Sequence, residues 1–227
     1  MVKSYLFPGQ GSQYVGMGRY AYESNAAARS FFDEADALFG FELSDLAFSG
    51  PEEQLKDTVN QQPALYVTSM ANWQWMRDEG WGEPDFLAGH SLGEFAALAA
   101  AGSLTFGDGL RLVRRRGELM KQAGEQSPGA MAAVLALPVE QIASLCAQAE
   151  DETGLVVQVA NDNCPGQIVI SGHGQALQRA IELAEEAGAR RVVRLPISIA
   201  AHSELMDSVS GAFAEAVDDV PLLSLIQ

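Results

Sequence analysis

The sequence is poor in the residues that form disulfides and metal sites. It has two cysteines, Cys146 and Cys164, whose spacing fits neither a zinc site nor a thioredoxin-type redox motif. Its three histidines, His90, His173 and His202, lie far apart along the chain. We therefore expect a reduced protein that uses no metal and no cofactor.

Long apolar runs are also absent. No stretch of about 18 uninterrupted apolar residues occurs, so the sequence predicts no membrane-spanning helix. The start of the chain, MVKSYLFPGQ, carries a single lysine and an apolar run that is too short for a signal peptide. Together with the scarcity of cysteine, these absences predict a soluble protein of the cytoplasm.

Positive charge is scarce as well. Asp and Glu number 30 against 14 Lys and Arg, which gives a formal net charge of −16. That charge disfavours nucleic acid and anionic membranes as partners, because both attract basic surfaces. The basic residues include two groups, which are Arg111, Arg114, Arg115, Arg116 and Lys121, and Arg190, Arg191 and Arg194.

The composition that remains is that of a folded globular protein. Hydrophobic residues make up 48% and charged residues 19% of a chain of 227 residues, which is long enough to bury a substantial core. Apolar spacing predicts helices at 26–38, 61–77, 94–101 and 107–123, and strands at 3–7 and 85–88. A glycine-rich turn follows each of these two strands, and ligands usually bind at such strand ends.

The second half of the chain has a different pattern. Strand patterns at 129–137, 155–161, 167–172 and 190–198 and helix patterns at 139–149 and 175–187 follow one another as β-α-β-β-α-β. This order is typical of a ferredoxin-like arrangement. We therefore expect a small subdomain, residues 126–196, inserted into a larger α/β domain formed by residues 1–125 and 197–227.

The segment GHSLG, residues 89–93, places a serine between glycines after a strand and before a helix. Such a G-x-S-x-G turn lifts the hydroxyl of its serine, here Ser91, clear of the sheet. Backbone N–H groups at the start of the next helix, including that of Leu92, would stabilise an oxyanion. Glycine-flanked serines also occur in plain turns, but the strand and helix on either side favour a nucleophile.

A serine nucleophile needs a general base, because its hydroxyl is weakly nucleophilic at neutral pH. His90 adjoins Ser91 in the sequence, which normally points its side chain the wrong way. His173 falls in the predicted subdomain and is interpreted as a loop residue. His202 follows a strand and opens a predicted helix at 204–216. We therefore choose His202 as the base, with a surface or helix-capping histidine as the alternative.

Arg116 lies on the apolar face of the predicted helix at 107–123. It is three residues after Val113 and four before Met120, so its guanidinium points to the buried side. A buried arginine is costly unless it is paired, and a guanidinium binds a carboxylate through two parallel hydrogen bonds. Its partner is either an Asp or Glu of the chain or an acidic substrate, and the sequence leaves both open.

A second glycine-rich segment, PGQGSQYVGMG at 8–18, follows the first strand. Tyr14 stands where the dinucleotide fingerprint requires its third glycine, and no Walker lysine follows. These departures disfavour a nucleotide site. We favour instead a loop that places backbone N–H groups beside Ser91.

Taken together, the motifs are specific. They are FPGQGSQ at 7–13, GHSLGE at 89–94, RRGELM at 115–120, GAMAAV at 129–134, N-x-N-x-PGQ-x-VISG at 161–172 and AAHSELM at 200–206. This set, in this order, resembles the malonyl-CoA:acyl carrier protein transacylases along essentially the whole chain. The resemblance implies an α/β fold with an α/β-hydrolase-like core and an inserted ferredoxin-like subdomain.

The resemblance also implies a role for each candidate residue. Ser91 would be acylated, His202 would act as its base, and Arg116 would bind the malonyl carboxylate. The backbone amides of Gln10 and Leu92 would form the oxyanion hole. The implied reaction moves malonyl from malonyl-CoA to the phosphopantetheine thiol of an acyl carrier protein, with coenzyme A thioester as substrate and no cofactor.

Three alternatives stay open at this point. An acyl hydrolase that clears carrier proteins would use water in place of the thiol, although hydrolytic relatives tend to lose the arginine matching Arg116. A methylmalonyl-specific enzyme is the second alternative: Leu92 favours malonyl, while the small Ala201 constrains the α-carbon less. A non-catalytic binding domain is the third, and the complete Ser91, His202 and Arg116 set disfavours it.

The ends of the chain and its arginines give further expectations. PLLSLIQ at 221–227 starts an apolar segment without a cap, so we expect the natural protein to continue and to supply the backbone carbonyl that orients His202. The start at Met1 favours a free-standing enzyme. An acidic carrier protein would dock on local arginines, most plausibly Arg190, Arg191 and Arg194 or the exposed members of the group at 111–121, so charge reversal there would slow transfer.

Overall fold

The computed structural model describes residues 2–223, a mixed α/β arrangement. The strands are β1 (Ser4–Phe7), β2 (Phe86–Gly89), β3 (Gly129–Leu135), β4 (Val157–Cys164), β5 (Gln167–His173) and β6 (Arg191–Arg194). The helices are α1 (Arg19–Ser24), α2 (Ala26–Phe39), α3 (Leu43–Ser49), α4 (Glu52–Lys56), α5 (Thr58–Asp78), α6 (Gly93–Ala100), α7 (Phe106–Gln126), α8 (Val139–Thr153), α9 (Gly174–Glu186) and α10 (Asp207–Asp218).

The chain forms two compact units. The first runs to Glu118 and includes the residues from Ala214 onward, and the second is Leu119–Phe213. The unit boundaries fall inside α7 and α10. The expected subdomain, residues 126–196, lies within the second unit, and its exact boundaries stay a prediction.

The first unit is built around a short parallel sheet. β1 pairs with β2 in the register Ser4↔Phe86 to Phe7↔Gly89, so both strands end at the same edge. One face of this sheet packs on Trp73 of α5, whose ring centroid lies 5.2 Å from that of Tyr5. The sheet thus places the two glycine-rich turns side by side.

Helix α5 is the centre of the first unit, and most of its residues up to Trp73 are buried. It begins at Thr58, earlier than the predicted 61, because the side chain of Asp57 caps it by accepting a hydrogen bond from Val59 N (3.0 Å). Pro63 consequently lies in the second turn and cannot donate to the carbonyl of Val59. Arg114 Nη1 donates to that carbonyl instead, at 3.3 Å.

The second unit has a four-stranded antiparallel sheet in the order β4-β5-β3-β6. Central strand β3 pairs with β5 through Ala132↔Ile170 and with β6 through Ala132↔Arg194. Helices α8 and α9 cover one face and bury Ile142 and Leu177 against it. The predicted strands and helices of this half are confirmed in type and order, with shifted ends.

Some elements differ from the sequence prediction. The short helices α1, α3 and α4 were not predicted, since each has seven residues or fewer and little periodicity. The predicted helix 204–216 is a 3₁₀ turn at Glu204–Met206 followed by α10. Residues 221–223 of the predicted last strand have no regular structure, and 224–227 lie outside the described residues.

Candidate active site

Ser91 lies in the turn between β2 and α6. Its φ is 53°, in the left-handed region that residues other than glycine rarely adopt. Hydrogen bonds from Gly93 N to His90 O (3.0 Å) and from Glu94 N to Ser91 O (3.1 Å) hold the turn. This strand, turn and helix have the geometry of a nucleophile elbow.

The flanking glycines are required by close backbone approach. A Cβ on Gly89 would clash with the backbone of Gly93 and Glu94, and a Cβ on Gly93 would clash with the carbonyl oxygen of Phe7. The start of α6 therefore packs directly on the end of β1. No side chain larger than hydrogen fits at either position.

The predicted oxyanion donors are the backbone N–H groups of Leu92 and Gln10. Leu92 is buried at the start of α6, and no side chain caps that helix end. Within residues 2–223, neither the Leu92 N–H nor the Gln10 N–H has an acceptor. These donors agree with the expected oxyanion hole, and that role stays a prediction.

Arg116 reaches the serine from α7. Its Nη2 donates to Ser91 Oγ at 2.9 Å, and its Nη1 donates to Gln62 Oε1 at 2.8 Å. The side chain is half-buried. The structure thus places Arg116 on the inward face of α7, as its spacing predicts, and beside Ser91.

The side chains that accept hydrogen bonds from Arg116 are neutral. Among the described residues no carboxylate forms an ion pair with it, and its two hydrogen-bond partners are neutral. Burial lowers the pKa of Arg116 to about 10, while the negative charge of Glu94 acts in the opposite direction. Arg116 is therefore still a cation at neutral pH, and an internal Asp or Glu partner, one of the two sequence alternatives, is not found.

Buried polar residues of α5 complete the site, and sequence reasoning missed them. Gln62 Nε2 donates to Thr58 Oγ1 at 3.1 Å, and Gln10 Nε2 donates to the same oxygen at 2.9 Å. Gln10 Nε2 also donates to Gln61 Oε1 at 2.6 Å. The available signal was that these polar side chains directly precede the apolar run at 63–67 on the same helix.

His202 belongs to the second unit and also adopts a left-handed backbone, with φ 58°. It is exposed, while Ala201 before it and Ser203 after it are buried. Ser203 Oγ donates to Ala200 O at 2.7 Å, which closes the turn. The role of His202 as base stays a prediction.

The other two histidines have structural surroundings. His90 N donates to Phe7 O at 3.0 Å and so continues the β1 pairing beyond β2. His173 ends β5 and precedes α9, and its Nδ1 is buried without a hydrogen-bond partner among the described residues. Neither observation assigns these histidines a part in the chemistry.

The two arginine groups differ in their surroundings. In the first, Arg111 pairs with Asp108 at 2.9 Å and Arg114 with Glu118 at 2.9 Å. In the second, Arg190, Arg191 and Arg194 are exposed and have no ion pair among the described residues. Arg191 and Arg194 are three residues apart on edge strand β6, so they point to opposite faces of the sheet.

Residues 2–223 contain no group of three or more His, Cys, Asp or Glu side chains arranged to hold a metal ion. No helix in that range combines the length and apolar character needed to cross a membrane.

Similar proteins match almost the whole chain. A malonyl CoA-acyl carrier protein transacylase of Bacillus subtilis is 46% identical over 228 residues, which cover 97% of this chain and 71% of the relative. The solved malonyl CoA-acyl carrier protein transacylase of Coxiella burnetii superposes with a TM-score of 0.94 at 36% identity, covering 99% of this chain and 70% of that one.

A further solved structure contains a bound partner. It is a malonyl-transacylase in complex with a type II polyketide synthase acyl-carrier protein, and it matches with a TM-score of 0.93 at 36% identity over 98% of this chain and 72% of its own. The family model described as the acyl transferase domain matches residues 4–224. The chain therefore belongs to the acyl transferase domain family.

Proposed function

We propose that this chain transfers a malonyl group from malonyl-CoA to the phosphopantetheine thiol of an acyl carrier protein, through a malonyl ester on Ser91. The observation that carries the proposal is the 2.9 Å hydrogen bond from the Arg116 guanidinium to Ser91 Oγ. The similarity to malonyl CoA-acyl carrier protein transacylases supports it over most of the chain.

The surroundings of Arg116 explain the choice of acyl group. Within residues 2–223 its hydrogen-bond partners are neutral, so an incoming carboxylate gains a full ion pair and displaces no carboxylate of that part of the chain. In the malonyl group, one methylene separates the carboxylate from the thioester carbonyl. Binding that carboxylate at Arg116 brings the carbonyl carbon to Ser91 Oγ.

The first half of the reaction acylates the enzyme. His202 takes the Ser91 proton, and Ser91 Oγ attacks the thioester carbonyl to form a tetrahedral oxyanion. The N–H groups of Gln10 and Leu92 stabilise that oxyanion. The carbon–sulfur bond then breaks, and the coenzyme A thiolate leaves with the proton from His202.

The second half transfers the malonyl group to the carrier protein. His202 takes the proton of the phosphopantetheine thiol, and the thiolate attacks the carbonyl of the malonyl-serine ester. The carbon–oxygen bond to Ser91 breaks, and Ser91 Oγ regains a proton from His202. The relative solved with a carrier protein supports this partner. The cytoplasmic location and the absence of a cofactor stay predictions.

We also propose the finer fold assignment, an α/β-hydrolase-like core with a ferredoxin-like subdomain at residues 126–196. The parallel β1–β2 pair leading into the Ser91 turn supports the core. The antiparallel order β4-β5-β3-β6 with α8 and α9 on one face supports the subdomain.

Labelling with radioactive malonyl-CoA tests the proposed function. We expect label to accumulate on the protein, to be retained in water, and to move to holo acyl carrier protein when it is added. Ser91→Ala abolishes labelling, whereas Ser30→Ala, at an exposed serine of α2, leaves it unchanged. Rapid release of free malonate would indicate a hydrolase instead, and a wild type that takes no label would refute the proposed transfer.

A further inference from the structure

Thr58 is the meeting point of two hydrogen-bonded branches. Its Oγ1 accepts from Gln62 Nε2 at 3.1 Å and from Gln10 Nε2 at 2.9 Å. A hydroxyl oxygen has two acceptor positions, so these two bonds fill both. Thr58 is buried at the first position of α5, and Gln62 is fully buried.

The direction of the first branch is set by chemistry. A guanidinium only donates hydrogen bonds, so the atom of Gln62 that faces Arg116 Nη1 at 2.8 Å is its carbonyl oxygen. The amide nitrogen of Gln62 consequently faces Thr58. The branch therefore runs from Arg116 through Gln62 to the threonine hydroxyl without a choice of orientation.

The second branch holds the glycine-rich loop after β1. Gln10 Nε2 uses its two N–H groups on Thr58 Oγ1 and on Gln61 Oε1, at 2.9 and 2.6 Å. Both acceptors lie on α5. The side chain of Gln10 thereby holds the residue whose backbone N–H is the proposed second oxyanion donor.

We propose that Thr58 is a positioning residue that couples the carboxylate-binding arginine to the loop carrying the oxyanion donor. The inference rests on the proposed malonyl transfer. Removing the hydroxyl takes the acceptor away from the fully buried amide of Gln62 and from the partly buried amide of Gln10. A buried N–H group without an acceptor is costly, so we expect both glutamine side chains to move. Arg116 and the Gln10 loop then shift together, because Thr58 is linked to Arg116 through Gln62 and to the loop through Gln10.

Three variants separate this role from a general effect on stability. Thr58→Val keeps the shape and removes the acceptor, and Thr58→Ser keeps the acceptor. Thr68→Val is the matched control, because Thr68 is also a buried threonine of α5 but its Oγ1 has no hydrogen-bond partner among the described residues. Each variant is assayed with malonyl-CoA and with acetyl-CoA, which lacks the carboxylate.

We expect Thr58→Val to lower kcat/KM for malonyl-CoA by roughly 10- to 100-fold, with KM raised through Arg116 and kcat lowered through the loop. Acetyl-CoA has no carboxylate for Arg116 to bind, so with this substrate Thr58→Val lowers kcat through the loop and leaves KM unchanged. The ratio of kcat/KM for malonyl-CoA to kcat/KM for acetyl-CoA therefore decreases. Thr58→Ser restores wild-type values, and Thr68→Val does not depart from them. An unchanged KM and kcat in Thr58→Val, with normal wild-type activity, overturns the inference.

A second measurement, which needs no catalysis, tests the coupling between Arg116 and the Gln10 loop. In the ¹⁵N-labelled protein, we expect the side-chain amide signals of Gln10 and Gln62 and the Nε signal of Arg116 to shift together in Thr58→Val. They stay in place in Thr58→Ser and Thr68→Val. Shifts confined to one glutamine refute the coupling, whereas a wild type that takes no malonyl label refutes the proposed function and leaves this readout intact.

Discussion

At the scale of single residues, Arg116 constrains the chemistry through what surrounds it. A cation shielded from water is normally stabilised by a carboxylate of the same protein, but the hydrogen-bond partners of the half-buried Arg116 are the neutral groups Gln62 Oε1 and Ser91 Oγ. The positive charge is therefore available to a ligand. A carboxylate bound there lies within reach of the serine hydroxyl.

Arg116→Lys tests whether the two-pronged geometry matters beyond the charge. Lysine is a point charge on a flexible stem, so we expect kcat/KM for malonyl-CoA to fall by about 10- to 100-fold, while acetyl-CoA is affected less. Arg115→Lys is the control, because Arg115 is exposed and lies 4.0 Å from Glu118. Equal losses for both acyl donors would argue against a carboxylate site.

The two cysteines differ in burial, and we expect them to differ in reactivity. Cys146 is buried in the α8 and α9 core, and burial, together with the charge of Glu150, raises the pKa of its thiol to about 12. Cys164 is exposed. We therefore expect a thiol reagent to modify Cys164 quickly in the folded protein and Cys146 only after unfolding, which mass spectrometry distinguishes.

The raised pKa of Cys146 also affects stability at high pH. The folded state keeps the thiol proton, while the unfolded chain loses it above its ordinary pKa of about 9. The contribution of Cys146 to the free energy of unfolding is therefore fully present below pH 9. The free energy of unfolding falls as the pH rises from 9 toward 12. Urea titrations should show a smaller fall in Cys146→Ala than in Cys164→Ala, and equal falls would contradict this assignment.

At the scale of elements, the approach of α7 to α5 depends on one glycine. A Cβ on Gly117 would lie 2.7 Å from the carbonyl oxygen of Thr58 and 3.1 Å from the Cα of Val59. Both are backbone atoms at the start of α5, so neither can move aside as a flexible side chain would. Arg116, which precedes Gly117, takes its position from this contact.

Gly117→Ala should therefore reduce both stability and malonyl binding. We expect a loss of about 1–3 kcal/mol in the free energy of unfolding, measured with urea, and a raised KM for malonyl-CoA. Gly211→Ala in α10 is the matched control, since nothing lies within 4 Å of its added Cβ. It should gain about 0.5–1 kcal/mol, because alanine is the better helix former. An unchanged free energy of unfolding and KM in Gly117→Ala would show that α5 and α7 move apart without cost.

Sequence patterns predicted the longer elements well and the short ones poorly. Amphipathic spacing located α2 and α7 within a few residues, because each packs one face on a core. It placed the start of α5 too late, since that helix is buried nearly all round and its cap, Asp57, precedes an apparent break at Pro63. Helices α1, α3 and α4 are too short for a periodic signal.

The site divides in the same way. Ser91 carries a local signal, because the glycines around it report a backbone geometry, and Arg116 stands out as a charge on an apolar face. Thr58 and Gln62 carry no such signal, since their partners lie 48 and 54 residues away in the sequence. Only the packing of α5 against α7 and the β1 loop reveals them.

At the scale of the whole molecule, an exposed apolar surface favours association between copies and the net charge disfavours it. Leu6 of β1 is 77% exposed and Phe86 of β2 is 64% exposed, on the face of the parallel sheet away from Trp73. Exposed apolar patches favour association. The net charge of −16 repels other copies, and salt screens that repulsion.

We therefore expect self-association that increases with protein concentration and with added salt. Sedimentation velocity in 0.05 and 0.5 M NaCl measures the apparent mass. Leu6→Lys should keep the protein monomeric in both, whereas Tyr20→Lys, at an exposed tyrosine of α1 that is 68% accessible, should behave as the wild type. A mass independent of salt, or equal for both variants, would contradict the expectation.

The bond between Arg116 and Gln62 also limits how the acyl preference of this protein can be redesigned. Replacing Arg116 by a neutral residue to admit uncharged acyl groups would take away the donor that the fully buried Gln62 Oε1 now uses. The Gln62 amide can then rotate and lose its hydrogen bond to Thr58, which loosens the loop of Gln10. A route toward neutral substrates therefore requires paired changes at positions 62 and 116, and a library that varies position 116 alone will be dominated by poorly active proteins.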